Sequence, residues 1–454
     1  MIAKRYTLSL IIISLIAILM VLPTFNAEPV LRIWWCTPTF PEEKRAILEI
    51  ASDFEEETGI HVKISFIPPP ELAQKILAAV EAKSAPDLYW NHYVHIGPIL
   101  ASRGALLEVS DIIEELRKAG AYEKVLESAL WIGSDGKRRY YGIPTGWYSM
   151  FLHVRTDLFK EAGYDWRKLA NMTWEEFLSA VKKVHEIIKP RGMYGWGIPI
   201  SEAAPGDAFD IVDVLIHMYG GDIFTPEGKL NIESPETKAA ILKALNFLLN
   251  IQKGGLNPPG ATGWTDWDNN VAFQEGVSAV VPNPTMSIPN WLRLNKPQWL
   301  GPNVTATILW PRGPTGKARV YLGARFFLIP TPEVGNRNVE GAKKFVKFFF
   351  RFENYRKYAV SIPMYLPVFK GIAEDPTTIF GNPKYANHWG VALKYIEYMD
   401  LYPYEYLRHP AYAQAVVEKV WQIMVLRVLT QGWKAEDAVN AAIERIKAIY
   451  EAYH

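Results

Sequence analysis

Leu31-Arg32-Ile33-Trp34-Trp35 opens the stretch that decides the fold, and that stretch runs on to His92. The opening run is apolar, short and rich in strand-favouring residues. After Pro41, Ile47, Ile50, Ala51 and Phe54 recur at helical spacing among charged neighbours, and Gly59 stands where a left-handed C-terminal cap belongs. His61 to Ile67 alternates as a second strand. Leu72, Ile76, Ala79 and Val80 mark a second helix, which Ala85-Pro86 ends, and Asp87-Leu88-Tyr89-Trp90-Asn91 reads as a third strand. Strand, helix, strand, helix, strand in so short a span implies parallel crossovers and an α/β lobe.

Ligands of open parallel sheets sit beyond the carboxyl ends of the strands, where strand order reverses. If the order here is 2-1-3, the crevice lies between the ends of strands one and three. Those ends carry Trp35-Cys36-Thr37 and Trp90-Asn91-His92, an aromatic beside hydrogen-bonding groups on each wall. The competing reading makes both tryptophans core.

The same residues resemble a family. Phe54-Glu55-Glu56-Glu57-Thr58-Gly59-Ile60-His61-Val62, then Ala82-Lys83-Ser84-Ala85-Pro86-Asp87-Leu88, then Gly104-Ala105-Leu106-Leu107 are similar to the N-terminal signature of extracellular solute-binding proteins of ABC importers, the maltose-binding-protein-like group. Most of these positions are architectural. The resemblance implies a type II periplasmic-binding fold, with two α/β lobes joined by hinge strands.

At 454 residues the chain is long enough for two domains. With 49% hydrophobic and 21% charged residues it is ordinary globular stock. A formal charge of +1 and no basic stripe make nucleic acid an unexpected partner. The chain carries 16 Trp, more than packing usually recruits. Its single cysteine, Cys36, excludes an internal disulfide framework and reads as a buried thiol, since Arg32 and two tryptophans precede it where a lipid-anchor signal needs small residues.

Residues 1–27 read as a targeting segment: Lys4 and Arg5 precede an uncharged run from Leu8 to Leu22, then Pro23 and Ala27. That run is short for a membrane span, which needs about 20 residues. Phe25 suits a small-residue cleavage site poorly, so both a cleaved signal and an N-terminal anchor stay open. Without the segment the formal charge becomes −1, because Lys4 and Arg5 are lost and no acidic residue is.

Further along, Ile112, Ile113 and Leu116 stripe a helical region, and Ser134-Asp135-Gly136-Lys137 is a hairpin turn signal. Thr173-Trp174-Glu175-Glu176-Phe177 is a capping box and matches the family's motif. Tyr140-Tyr141-Gly142-Ile143-Pro144, Tyr321-Leu322-Gly323-Ala324-Arg325 and Met364-Tyr365-Leu366-Pro367-Val368 resemble the family's three crossings between lobes. Arg155 stands where the family usually has Asn, and Ala324 where a second Gly is common. The resemblance implies a first lobe of 28–143 and 321–370, and a second of 144–320 and 371–454. Tyr385 to His454 reads as mostly helical, with Val439, Ala442, Ile443, Ile446 and Tyr450 as a docking face. Asn171-Met172-Thr173 and Asn303-Val304-Thr305 are glycosylation sequons.

Catalytic and metal signatures fail. Val184-His185-Glu186-Ile187-Ile188-Lys189 starts like a zinc-protease helix but puts Lys where the second His must be. No phosphate loop, Rossmann glycine fingerprint or nucleophile elbow appears. Asp266 and Asp268 qualify as glycosidase carboxylates only by being acidic and near tryptophans.

The expectation is an exported, non-enzymatic, monomeric solute receptor of an ABC importer, with no cofactor and no metal. It binds a sugar in the interlobe cleft and passes it to the membrane permease. Sugars combine an apolar C–H face, which flat aromatics take, with hydroxyls, which polar side chains take. The candidate ligand residues are Trp35, Thr37, Trp90, Asn91, Trp147, Tyr148, Trp264, Asp266, Trp267, Asn283, Trp291 and Arg325. The family commonly has an aromatic a few residues past an Asn-Gly-Pro-Trp stretch. Here the chain reads Asn283-Pro284-Thr285-Met286, so that surface is lost or moved to Trp291. The alternatives are an oligopeptide receptor and a secreted polysaccharide hydrolase.

Overall fold

A computed structural model describes residues 30–453, apart from Thr315, Lys317, Met399 and Tyr404. The targeting segment read in residues 1–27 lies outside the described residues. The strands, in chain order, are β1 (Val30–Cys36), β2 (His61–Ile67), β3 (Leu88–Asn91), β4 (Leu130–Ile132), β5 (Arg138–Tyr140), β6 (Ile143–Tyr148), β7 (Phe151–Arg155), β8 (Tyr194–Trp196), β9 (Ser278–Asn283), β10 (Thr305–Ile308), β11 (Arg319–Leu328) and β12 (Asp400–Pro403). Two sheets organise ten of them, helices pack on both, and β4 and β5 pair as a separate hairpin.

The first sheet runs β12-β11-β3-β1-β2, with β6 also paired to β11. β1 pairs in parallel with β2 and β3, which is the 2-1-3 order. Helix Pro41–Thr58 makes the first crossover: Pro41 sits in its first turn, where the missing N–H costs nothing, and Gly59 (φ 69°) closes it by donating its N–H to the Glu55 carbonyl. Ile47, Ile50, Ala51 and Phe54 are its buried face, and the Phe54 ring meets Phe345 and Phe348 edge-on at 5.3 and 5.5 Å. Asp87, fully buried at the start of β3, accepts from the Arg32 N–H and guanidinium and from the backbone N–H groups of Arg337 and Asn338. One carboxylate thus fixes β1, β3 and the start of helix Val339–Phe349, which is the physical reason for an Asp after Ala85-Pro86.

The second sheet runs β10-β7-β9-β8. Helix Trp174–Ile188 lies against it, entered through the capping box: Thr173 Oγ1 accepts from Glu176 N, and Glu176 Oε2 accepts from Thr173 N at 2.8 Å. Three segments connect the lobes, and they pair with one another. β11 lies antiparallel to β6, and Trp147 and Leu366 exchange both backbone hydrogen bonds at 2.8 Å. The first two crossings thus lie in the first sheet, and the third joins β6 through the Trp147–Leu366 bridge.

The C-terminal region is mostly helical, as expected, and adds one strand that the sequence did not announce: β12 pairs in parallel with Arg319–Leu322, the end of β11 next to helix Asp207–Met218. Four residues carry too little periodicity to announce a strand, and pairing with β11 alone defines it. Packing also recruits the tryptophans after all. Trp35, Trp90, Trp131, Trp147, Trp174, Trp196, Trp310, Trp389 and Trp421 are the largest fully buried side chains.

Candidate functional site

Between the lobes, at the carboxyl ends of β1 and β3, lies a cavity of about 580 Å³, within the size range of small-ligand sites. Thr37 and Thr39 follow β1, and His92, Tyr93 and His95 follow β3. Tyr148, Arg325 and Tyr365 come from the three crossings and form the floor. Asp207, Asp210, Asp266, Trp267, Asn270 and Asn283 form the second lobe's wall, with Tyr406 beside them.

The floor is built by a bulge. Opposite Arg325 and Phe326, β6 presents Gly146 and Pro144, so Thr145 is an extra residue and the ladder shifts. Thr145 Oγ1 fills the irregularity, donating to the Arg325 carbonyl at 3.2 Å and accepting from Trp90 Nε1 at 3.1 Å. The bulge turns Arg325 toward the cleft. Its guanidinium carbon lies 4.7 Å from the Tyr148 ring centre and 5.0 Å from that of Tyr365, and Nη1 donates to the His92 carbonyl. Aromatic faces carry a buried cation at low cost, so each crossing contributes one member of the floor. Burial, then the Arg325 charge, holds the His95 imidazole down at about 4 and that of His92 well below its usual range, so both are neutral at pH 7.

The wall is built from helix ends. Asp266 accepts from the N–H groups of Asp207 (2.9 Å) and Gly206 (3.2 Å), capping helix Asp207–Met218. Asp207 Oδ2 accepts from Asn269 Nδ2 at 2.8 Å. Asn283 Nδ2 donates to the Thr285 carbonyl, and Asn270 Nδ2 to Ser287 Oγ. Burial raises both carboxyls: Asp266 to about 6, against the pull of the two N–H groups and Arg325, and Asp207 well above its ordinary range, with the Asp266 charge adding to burial. Trp267, 51% exposed, is a flat aromatic at the mouth.

Among the residues singled out from the sequence, Thr37, Tyr148, Asp266, Trp267, Asn283 and Arg325 line the cleft. Trp35, Trp90, Asn91, Trp147, Trp264 and Trp291 do not line it. Trp35 and Trp90 stack on each other in the first lobe's core, 5.7 Å apart and 9° from parallel. Asn91 is fully buried and donates to the Val94 carbonyl at 3.4 Å. Trp147 is fully buried with its Nε1 on the Pro367 carbonyl. Trp264 sits beside Gly260, outside the cleft. Trp291 is half-buried on helix Ser287–Asn295 with Lys296 over its ring, so it does not take over the stacking surface absent after Asn283. For Trp35, Trp90 and Asn91 the physical reason is common: each side chain is still inside the β1 or β3 ladder and points into a packed face, and on these two strands the cleft begins one or two residues later.

Sequence reasoning did not single out Tyr93, Asp207, Asp210, Asn270, Tyr365 or Tyr406 as ligand residues. Tyr365 had a signal, since its crossing was read, and Asp207 had a weaker one as an acidic residue in a helix's first turn. Away from the cleft, His217, Asp222 and Glu405 approach one another closely enough to hold a metal ion. Arg319 and Arg408 bond the same Asp222 carboxylate at 3.1 and 2.9 Å, so the cations that neutralise this cluster are already in place.

A family model described as bacterial extracellular solute-binding protein matches residues 49–390. No curated protein sequence matches the chain. Among solved structures, a solute-binding protein of an ABC transporter from Thermotoga lettingae, bound with alpha-D-tagatose, superposes with a TM-score of 0.75 at 21% identity, covering 93% of this chain and 100% of that one. One from Agrobacterium radiobacter in complex with ribitol gives 0.74 at 19%, covering 93% and 98%. A sugar transporter from Arthrobacter chlorophenolicus with bound laminaribiose gives 0.73 at 19%, covering 92% and 99%.

Proposed function

Because the chain belongs to the bacterial extracellular solute-binding proteins, we propose that it is the receptor of an ABC importer and binds a sugar or oligosaccharide between its lobes. One observation carries the ligand class. The cleft sets flat aromatics, Tyr148, Tyr365, Tyr406 and Trp267, against Asp207, Asp266, Asn270, Asn283 and Arg325. That mixture suits the C–H faces and hydroxyl rims of carbohydrate. An oligopeptide would call for charged pockets at the two ends of the ligand, and a hydrolase for turnover.

In this reading residues 28–143 and 321–370 form the first lobe, and residues 144–320 and 371–454 the second. Ligand touching both walls favours the closed arrangement by its differential affinity, and a membrane permease reads the closed form. Among the described residues no helix is long and apolar enough to cross a membrane. Mass spectrometry of ligand co-purified with the protein, followed by calorimetry and small-angle scattering with that compound, tests the proposal. We expect a carbohydrate released unchanged and a smaller radius of gyration at saturation. A co-purified peptide, or hydrolysis of the sugar, refutes it.

A further inference from the structure

The second lobe's wall of the cleft is unbalanced in hydrogen-bonding capacity and in charge. Each of its amide nitrogens already donates at least once: Asn269 Nδ2 to Asp207, Asn283 Nδ2 to the Thr285 carbonyl, Asn270 Nδ2 to Ser287 Oγ. Its acceptors are not matched in the same way. Asn270 is only 4% exposed, yet its Oδ1 has no partner. A buried amide oxygen in that condition costs free energy until something donates to it. The Asp207 and Asp266 carboxylates line the same cavity, with Asp210 one helical turn beyond Asp207. Arg325 is the one deep cation among the described residues lining the cleft, and it lies on the floor against Tyr148 and Tyr365. Glu202 and Lys419 also line the cavity and add one charge of each sign. The helix beginning at Asp207 would ordinarily favour an anion at its N-terminus. Asp266 already fills that place by accepting the first N–H groups.

We infer that this wall is an ammonium subsite: Asp207, Asp266 and Asn270 Oδ1 receive a protonated amine, so the receptor takes an amine-bearing sugar in preference to a neutral one. The inference rests on the carbohydrate reading of the cleft. An ammonium group supplies three N–H donors and one positive charge from a single atom. It therefore satisfies the unpartnered amide oxygen and stabilises both carboxylates in ionised form. A hydroxyl in the same place supplies one donor and no charge, and a carboxylate would meet the like charge of Asp266. Burial strengthens the discrimination, because charge pairs are screened less there than at a surface.

Calorimetry on the full chain at neutral pH, in a buffer without amines, tests this with matched pairs: glucosamine against glucose, the β-1,4 glucosamine disaccharide against cellobiose, and Tris against pentaerythritol, which replaces the ammonium of Tris by a hydroxymethyl group. We expect the amine to bind about tenfold or more tightly within a pair, and Asp266→Asn to reduce that ratio to near one. Asparagine keeps an oxygen for the Asp207 and Gly206 N–H groups, and a circular-dichroism melt confirms the variant's fold. Equal affinities within each pair, or a preference that survives Asp266→Asn, overturn the subsite while leaving the sugar receptor standing. Selective binding of Tris with no response to any sugar leaves the subsite standing and overturns the carbohydrate reading. Silence toward all six compounds overturns both.

Discussion

Replacing Trp90 by alanine separates a core tryptophan from a binding one. Trp90 stands at the carboxyl end of β3, where a sugar-stacking ring is expected, yet it is 2% exposed. One face lies on Trp35 at 5.7 Å, and Nε1 donates to Thr145 Oγ1 at 3.1 Å. Thr145 is the residue around which the hinge bulge forms. Removing a buried Trp side chain costs roughly 3–5 kcal/mol through lost transfer energy and the cavity left behind. The hydrogen bond is included in that range, since Thr145 Oγ1 keeps its contact with the Arg325 carbonyl. Urea unfolding followed by circular dichroism should show a fall of that size at unchanged slope. Affinity for the co-purified ligand, measured well below the new midpoint, should change by less than about threefold. A variant of near-normal stability that loses its affinity would refute the reasoning and return Trp90 to the pocket.

Trp267→Ala is the counterpart: the ring is 51% exposed at the cleft mouth. Stability should stay within about 0.5 kcal/mol of the parent, while calorimetry should show sugar affinity falling about tenfold or more, as for an aromatic anchor. His217 should make stability fall with alkali. Burial pulls its pKa down, but hydrogen bonds to Asp222 and Glu405 outweigh that and leave it raised above 6.5. The stabilisation is complete below the unfolded pKa of about 6.5 and is lost as pH rises through the folded value. Unfolding free energies from pH 6 to 9 should therefore decline in the parent and be flatter in His217→Gln. Thr173→Ala removes the capping hydroxyl of helix Trp174–Ile188 and should cost about 1 kcal/mol in the same urea experiment; no change would mean that water satisfies the freed Glu176 N–H.

Much of the fold was legible because its determinants are local. The apolar face of helix Pro41–Thr58, the Gly59 cap, the Thr173 capping box and the hairpin at Asp135-Gly136 depend on periodicity and on backbone chemistry within a few residues. The rule that ligands meet parallel strands at their carboxyl ends placed the cleft as well: Thr37 and His92, each just past the last strand residue, line it. β12 escaped because it exists through its partner, the start of β11.

Which aromatic faces the cleft was a tertiary decision. Trp35 and Trp90 have the composition and position of a binding pair, but the helices closing over the sheet bury both, and their rings satisfy each other. The wall, by contrast, joins Asp207, Asp266 and Asn270, and the floor joins Tyr148, Arg325 and Tyr365, residues far apart along the chain. Sequence specifies such groups only through everything that brings their segments together. It determined an α/β lobe and a cleft at its strand ends, since those follow from repeating local patterns, while the second lobe and the three crossings came from the family resemblance. Packing alone decided that the cleft is floored by an arginine against two tyrosines and walled by carboxylates, because burial and pKa depend on neighbours that meet only in the folded chain.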